Sequence, residues 1–134
     1  MRTILTSILV PDQDKALKFY TEVLGFIKKN DISLGDAKWL TVVASEGPDV
    51  EILFEPNWNP AIEINGKPAA AEWQKILFNA GIPCAVFGVA DIEAEYNRLL
   101  EAGVQFTKPP TQAGPVKIAV LDDTCGNLIQ IIQQ

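Results

Sequence analysis

The 134-residue chain contains no histidine. That absence removes the commonest general base, every Ser-His-Asp or Cys-His nucleophile pair, and every imidazole metal ligand. Cysteine is scarce as well. Cys84 and Cys125 permit one disulfide at most, while a hydrophobic content of 48% supplies a core without one. Both are therefore read as free thiols. The longest stretch without charge runs only from Ile76 to Ala90 and contains Gly81 and Pro83. It is too short to cross a bilayer as a helix, so no membrane partner is expected. Met1-Arg2-Thr3-Ile4-Leu5 leads straight into a strand-like pattern with no separate apolar segment, and the expected location is cytoplasmic. Positive charge is also short, with 11 Lys and Arg against 17 Asp and Glu, a net charge of -6. This balance speaks against a phosphate-binding surface, and no nucleic-acid partner is expected.

What the chain does carry is a strand-helix-strand pattern stated twice. Thr3 to Val10 is a β-branched and apolar run closed by Pro11 and Asp12. Asp12 is a good helix N-cap, and Ala16, Leu17, Phe19, Tyr20, Val23 and Leu24 recur at helical spacing until Gly25 stops the helix. Strands are predicted over Phe26 to Asn30, Trp39 to Ala44 and Val50 to Phe54, with a turn at Gly35-Asp36. Residues 57–67 read as a connecting loop. A short helix over Ala69 to Asn79 follows, whose Trp73, Ile76 and Leu77 would cover a sheet edge or enter a dimer interface.

The opening pattern then returns. Ile82 to Val89 resembles the first strand, Asp91 is placed to cap a helix over Ile92 to Leu100, and Gly103 stops it. Val104-Gln105-Phe106 begins a strand, Lys108-Pro109-Pro110-Thr111 reads as a turn, and strands follow over Val116 to Leu121 and Leu128 to Ile132. Val10-Pro11-Asp12 and Val89-Ala90-Asp91 lie 79 positions apart. Two strand-helix-three-strand modules fit the length, and one alone would bury too little surface, so the copies should pair. The expected fold class is α+β, with two paired βαβββ modules forming a curved, mostly antiparallel sheet cavity. Module one spans about residues 1–56, the connecting loop and helix 57–81, and module two 82–134 of a single domain. A doubly wound α/β fold fits less well, because few strands are followed by helices and no strand-to-helix turn carries a phosphate-binding glycine pattern.

Val10-Pro11-Asp12-Gln13-Asp14-Lys15-Ala16-Leu17-Lys18-Phe19-Tyr20-Thr21-Glu22-Val23-Leu24-Gly25-Phe26 closely resembles the opening of the vicinal oxygen chelate superfamily. That group includes glyoxalase I, bleomycin-resistance proteins and extradiol dioxygenases. Asp123-Thr124-Cys125-Gly126-Asn127, followed by Leu128-Ile129, resembles its closing turn and strand. The resemblance covers essentially the whole chain and implies a curved cavity, often completed in a homodimer. It also implies four inward-facing metal-ligand positions. The first, seven residues before the helix-capping aspartate, is usually histidine and here is Leu5. The second falls at Glu51, with Glu55 less well placed. The third, usually histidine, is Cys84, and the fourth, usually glutamate, is Gln130.

Leucine cannot ligate a metal, and Gln130 offers only a neutral oxygen. Glu51 and Cys84 make two good ligands where zinc normally takes three from protein. The divalent metal site typical of the family is therefore read as degraded, with no cofactor expected. By strand alternation, Leu5, Ser7 and Leu9 share a face, as do Cys84, Val86 and Gly88 in the second module. Glu51, Leu53 and Glu55 share one face, and Leu128, Gln130 and Ile132 another. The candidate ligand-binding set is Leu5, Ser7, Trp39, Glu51, Leu53, Cys84 and Gln130.

Glu51 has three readings: a general base with a burial-raised pKa, a polar contact to a ligand, or a residue hydrogen-bonded within the sheet. Cys84 reads as a core thiol and Cys125 as a residue of a turn where exposure is plausible. Trp39 and Trp58 are candidates for a cavity mouth. The expected function is metal-independent binding of a small, partly apolar organic molecule by a homodimer. The alternative is a lyase, isomerase or dioxygenase of the same superfamily with an atypical site using Glu51.

Overall fold

In the computed structural model, residues 1–134 form two compact units, Met1–Gln74 and Lys75–Gln134. Each is built from the same succession of elements. In the first unit β1 (Leu5–Val10) leads into α1 (Gln13–Lys18), which runs on as one wider π-helical turn over Phe19–Val23. β2 (Ile27–Leu34), β3 (Ala37–Val43) and β4 (Glu51–Pro56) follow. The sheet order is β1-β4-β3-β2. Its ladders are antiparallel between β2 and β3 and between β3 and β4, but parallel between β1 and β4.

Local chemistry explains where α1 starts and stops. Asp12 is extended, and its carboxylate accepts from the Lys15 amide at 3.0 Å, which satisfies one of the unpaired N–H groups of the first turn. At the other end the Leu24 amide donates to the Phe19 carbonyl, five residues back, and Gly25 takes φ of +81°. The consecutive rings of Phe19 and Tyr20 are both buried at this wider turn. They pack with Ile8, Val10, Leu40, Val42, Ile52 and Phe54 on one face of the sheet, which forms the core of the unit. Gln13 ties the helix to that sheet. Its amide nitrogen donates to the carbonyls of Lys38 and Phe54, and its oxygen accepts from the Lys38 amide. Those bonds fall beyond the last β3–β4 pair, Thr41 with Leu53, so a side chain serves backbone groups where the ladder has ended.

The second unit repeats the arrangement with β7 (Ala85–Gly88), α3 (Ile92–Glu101), β8 (Phe106–Ala113), β9 (Val116–Asp122) and β10 (Leu128–Gln133). Its sheet order is β7-β10-β9-β8, again with one parallel ladder, between β7 and β10. Asp91 caps α3 by accepting from the Glu93 and Ala94 amides. Ile92, Leu99, Ala119, Leu121, Ile129 and Ile131 are buried beneath it, and Tyr96 meets Phe106 edge-on at 4.6 Å. The two βαβββ repeats are present, and each sheet is mostly antiparallel, with one parallel ladder among its three. The parallel ladder arises because the chain returns after its hairpins to lie beside the strand that opened the repeat.

Two further expectations need correction. Residues 57–67 do not form a plain loop: β5 (Glu63–Ile64) and β6 (Lys67–Pro68) make a small hairpin. Its two turn residues, Asn65 and Gly66, have φ of +54° and +72°, the left-handed pair that an Asn-Gly hairpin adopts. Lys108-Pro109-Pro110-Thr111 is not a turn but part of β8, with register shifts on either side of Lys108. Prolines are tolerated there because β8 is an edge strand. In α2 (Ala69–Asn79), Trp73 and Ile76 are each 56% exposed, so of the two roles expected for them they do not cover a sheet edge. The buried residue of α2 is Gln74, whose amide donates to the Leu9 carbonyl and accepts from Asn57. No helix is long and apolar enough to cross a membrane.

Candidate functional site

The register of the first sheet places the predicted residues on the face opposite α1. Leu5 lies beside Glu51, Ser7 beside Leu53 and Leu9 beside Glu55 across the parallel β1–β4 ladder. On β3, Val43 pairs with Glu51 and Thr41 with Leu53, and alternation puts Trp39 on the same side, where it is 37% exposed. Leu5, Ser7, Trp39, Glu51 and Leu53 therefore share one face. Ser7 donates from its hydroxyl to Glu55 at 3.3 Å. Trp58 is exposed in the segment after β4.

A cluster that the sequence did not reveal surrounds Glu51. The β2–β3 ladder slips between Lys28 and Asn30, so Lys29 is an extra residue in β2. Such a bulge re-aims side chains that regular alternation would send to opposite faces. Both Lys29 and Asn30 reach Glu51 from two strands away, a span of about 10 Å between backbones. The Lys29 ammonium lies 2.8 Å from Glu51 Oε1, and Asn30 Nδ2 donates to Glu51 Oε2 at 3.0 Å. Asn30 Nδ2 also donates to Thr41 Oγ1 at 2.9 Å, and Thr41 is fully buried. Thr41 had a faint signal, as the one polar side chain between Trp39 and Val43.

These partners set the charge state of Glu51. Lys29 first, then Thr41 and Asn30, stabilise the carboxylate and outweigh its partial desolvation, so its pKa lies below the ordinary 4.5. The burial-raised pKa expected of a general base is thus corrected: Glu51 is an ionised, hydrogen-bonded carboxylate. Because the folded pKa is depressed, its contribution to stability is fully present above 4.5 and is lost as pH falls through the lower folded value. Glu51→Gln should flatten this acid-side decline, as thermal unfolding of both proteins between roughly pH 6 and pH 3 would reveal.

In the second unit Cys84, Val86 and Gly88 alternate onto the face that carries Gln130, which pairs with Val86. The Cys84 amide donates to Leu128, fixing the thiol at the start of β7. Two expectations about the thiols are reversed. Cys125, in the turn, is buried, and Cys84 is an exposed residue. Even so, atoms around the Cys84 sulfur desolvate it, and with the nearby Asp123 carboxylate they push its pKa up to about 12. An exposed cysteine that stays protonated should be a poor nucleophile. With Ellman's reagent at neutral pH, Cys84 should react at least about tenfold more slowly than free cysteine, and Cys125 only after unfolding.

The donor set does not fit the family's metal. Leu5 has no donor atom, Glu51 already holds an ammonium, Gln130 is neutral and Cys84 holds its proton. No three Asp, Glu or Cys side chains come together as a metal-binding group. Chemically, the first unit's face offers apolar surface from Leu5 and Trp39 beside one compact polar group, with Leu53 buried between them.

Two βαβββ repeats, each with a helix against one side of its sheet, define the fold class. Residues 4–131 match the family model of the Glyoxalase/Bleomycin resistance protein/Dioxygenase superfamily, and the chain belongs to that superfamily. It is 55% identical over 135 residues to the uncharacterized protein YurT of Bacillus subtilis strain 168, with 100% of both chains covered. Among solved structures, UcmS2 is 32% identical with a TM-score of 0.84, covering 98% of this chain and 97% of its own. TnmS3, an antibiotic binding protein from Streptomyces sp. CB03234, is 26% identical with a TM-score of 0.75, covering 99% and 95% respectively.

Proposed function

We propose that this protein binds a small, partly apolar organic molecule without a metal and without transforming it. The observation that carries this reading is the state of Glu51. An ionised carboxylate held by Lys29 and Asn30 suits a fixed polar contact better than proton abstraction, because a depressed pKa makes a weaker base. The flanking Leu5, with Trp39 two residues along β3 from Thr41, supplies the apolar surface that a ligand body would cover, above the buried Leu53. The likeness to TnmS3, itself an antibiotic binding protein, supports binding as the activity.

The lyase, isomerase or dioxygenase alternative would ask Glu51 to act as a base or a metal ligand, and its partners favour neither. Cys84 and Gln130 complete the proposed ligand-binding set from the second repeat. We take residues 1–134 as one domain acting in the cytoplasm as a homodimer, with the exposed Trp73 and Ile76 of α2 as apolar surface for association. Native mass spectrometry with elemental analysis, on untagged protein purified without chelator, tests the reading. A dimer carrying a co-purified organic molecule and no stoichiometric metal is expected. About one zinc, nickel, manganese or iron per chain, lost on Glu51→Ala, would overturn it.

A further inference from the structure

Lys29 is the part of the Glu51 cluster with spare bonding capacity. Its ammonium has three N–H donors, and its contact in the structure is the 2.8 Å pair with Glu51. The Lys29 side chain is 48% exposed and that of Glu51 only 20%, so the donors still available are on the lysine side. The carboxylate is further engaged by Asn30, and Asn30 in turn by Thr41. A molecule lying against the exposed Trp39 therefore meets a donor rather than an acceptor at this end of the face.

The charges around it narrow the choice of ligand. A cationic group would approach an ammonium that already occupies the carboxylate. An anionic group would gain one attraction but face Glu51 itself and Glu55, which lies on the same side of β4. An uncharged oxygen acceptor meets neither penalty and receives a charge-assisted hydrogen bond. We propose that Lys29 determines the specificity of this face: fixed on Glu51, its ammonium donates to an uncharged carbonyl oxygen of an apolar, aromatic ligand. This inference rests on the binding reading above and adds the chemical class of the ligand.

Three fluorescent probes separate the cases. Prodan is an uncharged naphthalene with a ketone oxygen, N-phenyl-1-naphthylamine is uncharged without a carbonyl, and anilinonaphthalene sulfonate is anionic. Each is titrated into the full-length wild-type protein, Lys29→Met, Lys29→Arg and Glu51→Gln. Lys29→Met should weaken Prodan about tenfold and leave N-phenyl-1-naphthylamine within about twofold, while Lys29→Arg keeps most of the Prodan affinity. Glu51→Gln should shift preference toward the sulfonate by about fivefold or more, since it removes the opposing charge. Circular dichroism of each variant verifies that it is folded. Equal weakening of Prodan and N-phenyl-1-naphthylamine by Lys29→Met, or no effect on either, would overturn the role of Lys29 while leaving the binding reading intact. Absence of saturable binding by all three probes in the wild type would count against both.

Discussion

Phe54→Ala should lower the free energy of unfolding by about 3–5 kcal/mol. The Phe54 ring is fully buried at the centre of the first unit and meets the equally buried Tyr20 at 5.0 Å with the rings steeply inclined. Truncation removes the transfer free energy of the ring and leaves a cavity bordered by Tyr20, itself in contact with Phe19 and Phe26. Phe54 also stands one position from Leu53, so the loss should loosen the face that carries Glu51. Phe54→Leu keeps most of the volume and should cost about 1–1.5 kcal/mol. Guanidinium denaturation of both variants tests the ordering, and equal small losses would contradict this account of the core.

Asp123→Ala should be nearly as damaging, by about 3 kcal/mol or more, for a different reason. Asp123 is fully buried, and its carboxylate accepts from the Cys125 and Asn127 amides and from Asn127 Nδ2, all within 2.9 Å. These bonds hold a turn in which Thr124 and Gly126 adopt φ of +62° and +89°. For Thr124 that conformation has a steric cost, about 1 kcal/mol or more, which the carboxylate offsets. Alanine leaves buried donors without an acceptor and releases the turn that starts β10, the strand bearing Gln130. Asp123→Asn keeps an oxygen for the amides but turns an NH2 group toward that of Asn127, and should cost roughly half as much. Thermal melts of the two variants distinguish loss of hydrogen bonding from simple loss of volume, which would leave the near-isosteric Asp123→Asn close to wild type.

Much of this architecture could be read from single residues. Asp12 and Asp91 cap the two helices that begin the repeats, and the limits of α2 agree with the apolar spacing from Ala69 to Asn79. Period-two alternation grouped Leu5 with Ser7 and Glu51 with Leu53, and the regular β1–β4 register brings those two groups to a common face. The parts that escaped depend on irregularity or on distant partners. Lys29 and Asn30 reach Glu51 only through a bulge, which no alternation rule anticipates. Gln74 is buried where its amide meets the Leu9 carbonyl and Asn57, partners set by folding rather than by helical spacing. Pro109 and Pro110 read as turn residues because nothing local says that their strand lies at a sheet edge. The exposure of Cys84 and burial of Cys125 likewise follow from strand order and from the Asp123 turn.

Metal-free binding without turnover is most directly tested by equilibrium dialysis of the untagged protein against a panel of small, partly apolar organic molecules, Prodan among them, in excess EDTA. Each recovered compound is then analysed by mass. Saturable uptake near one molecule per chain, insensitive to EDTA and with the compound recovered unchanged, is the predicted result. Uptake that requires an added divalent metal, or recovery of a chemically altered compound, would contradict it.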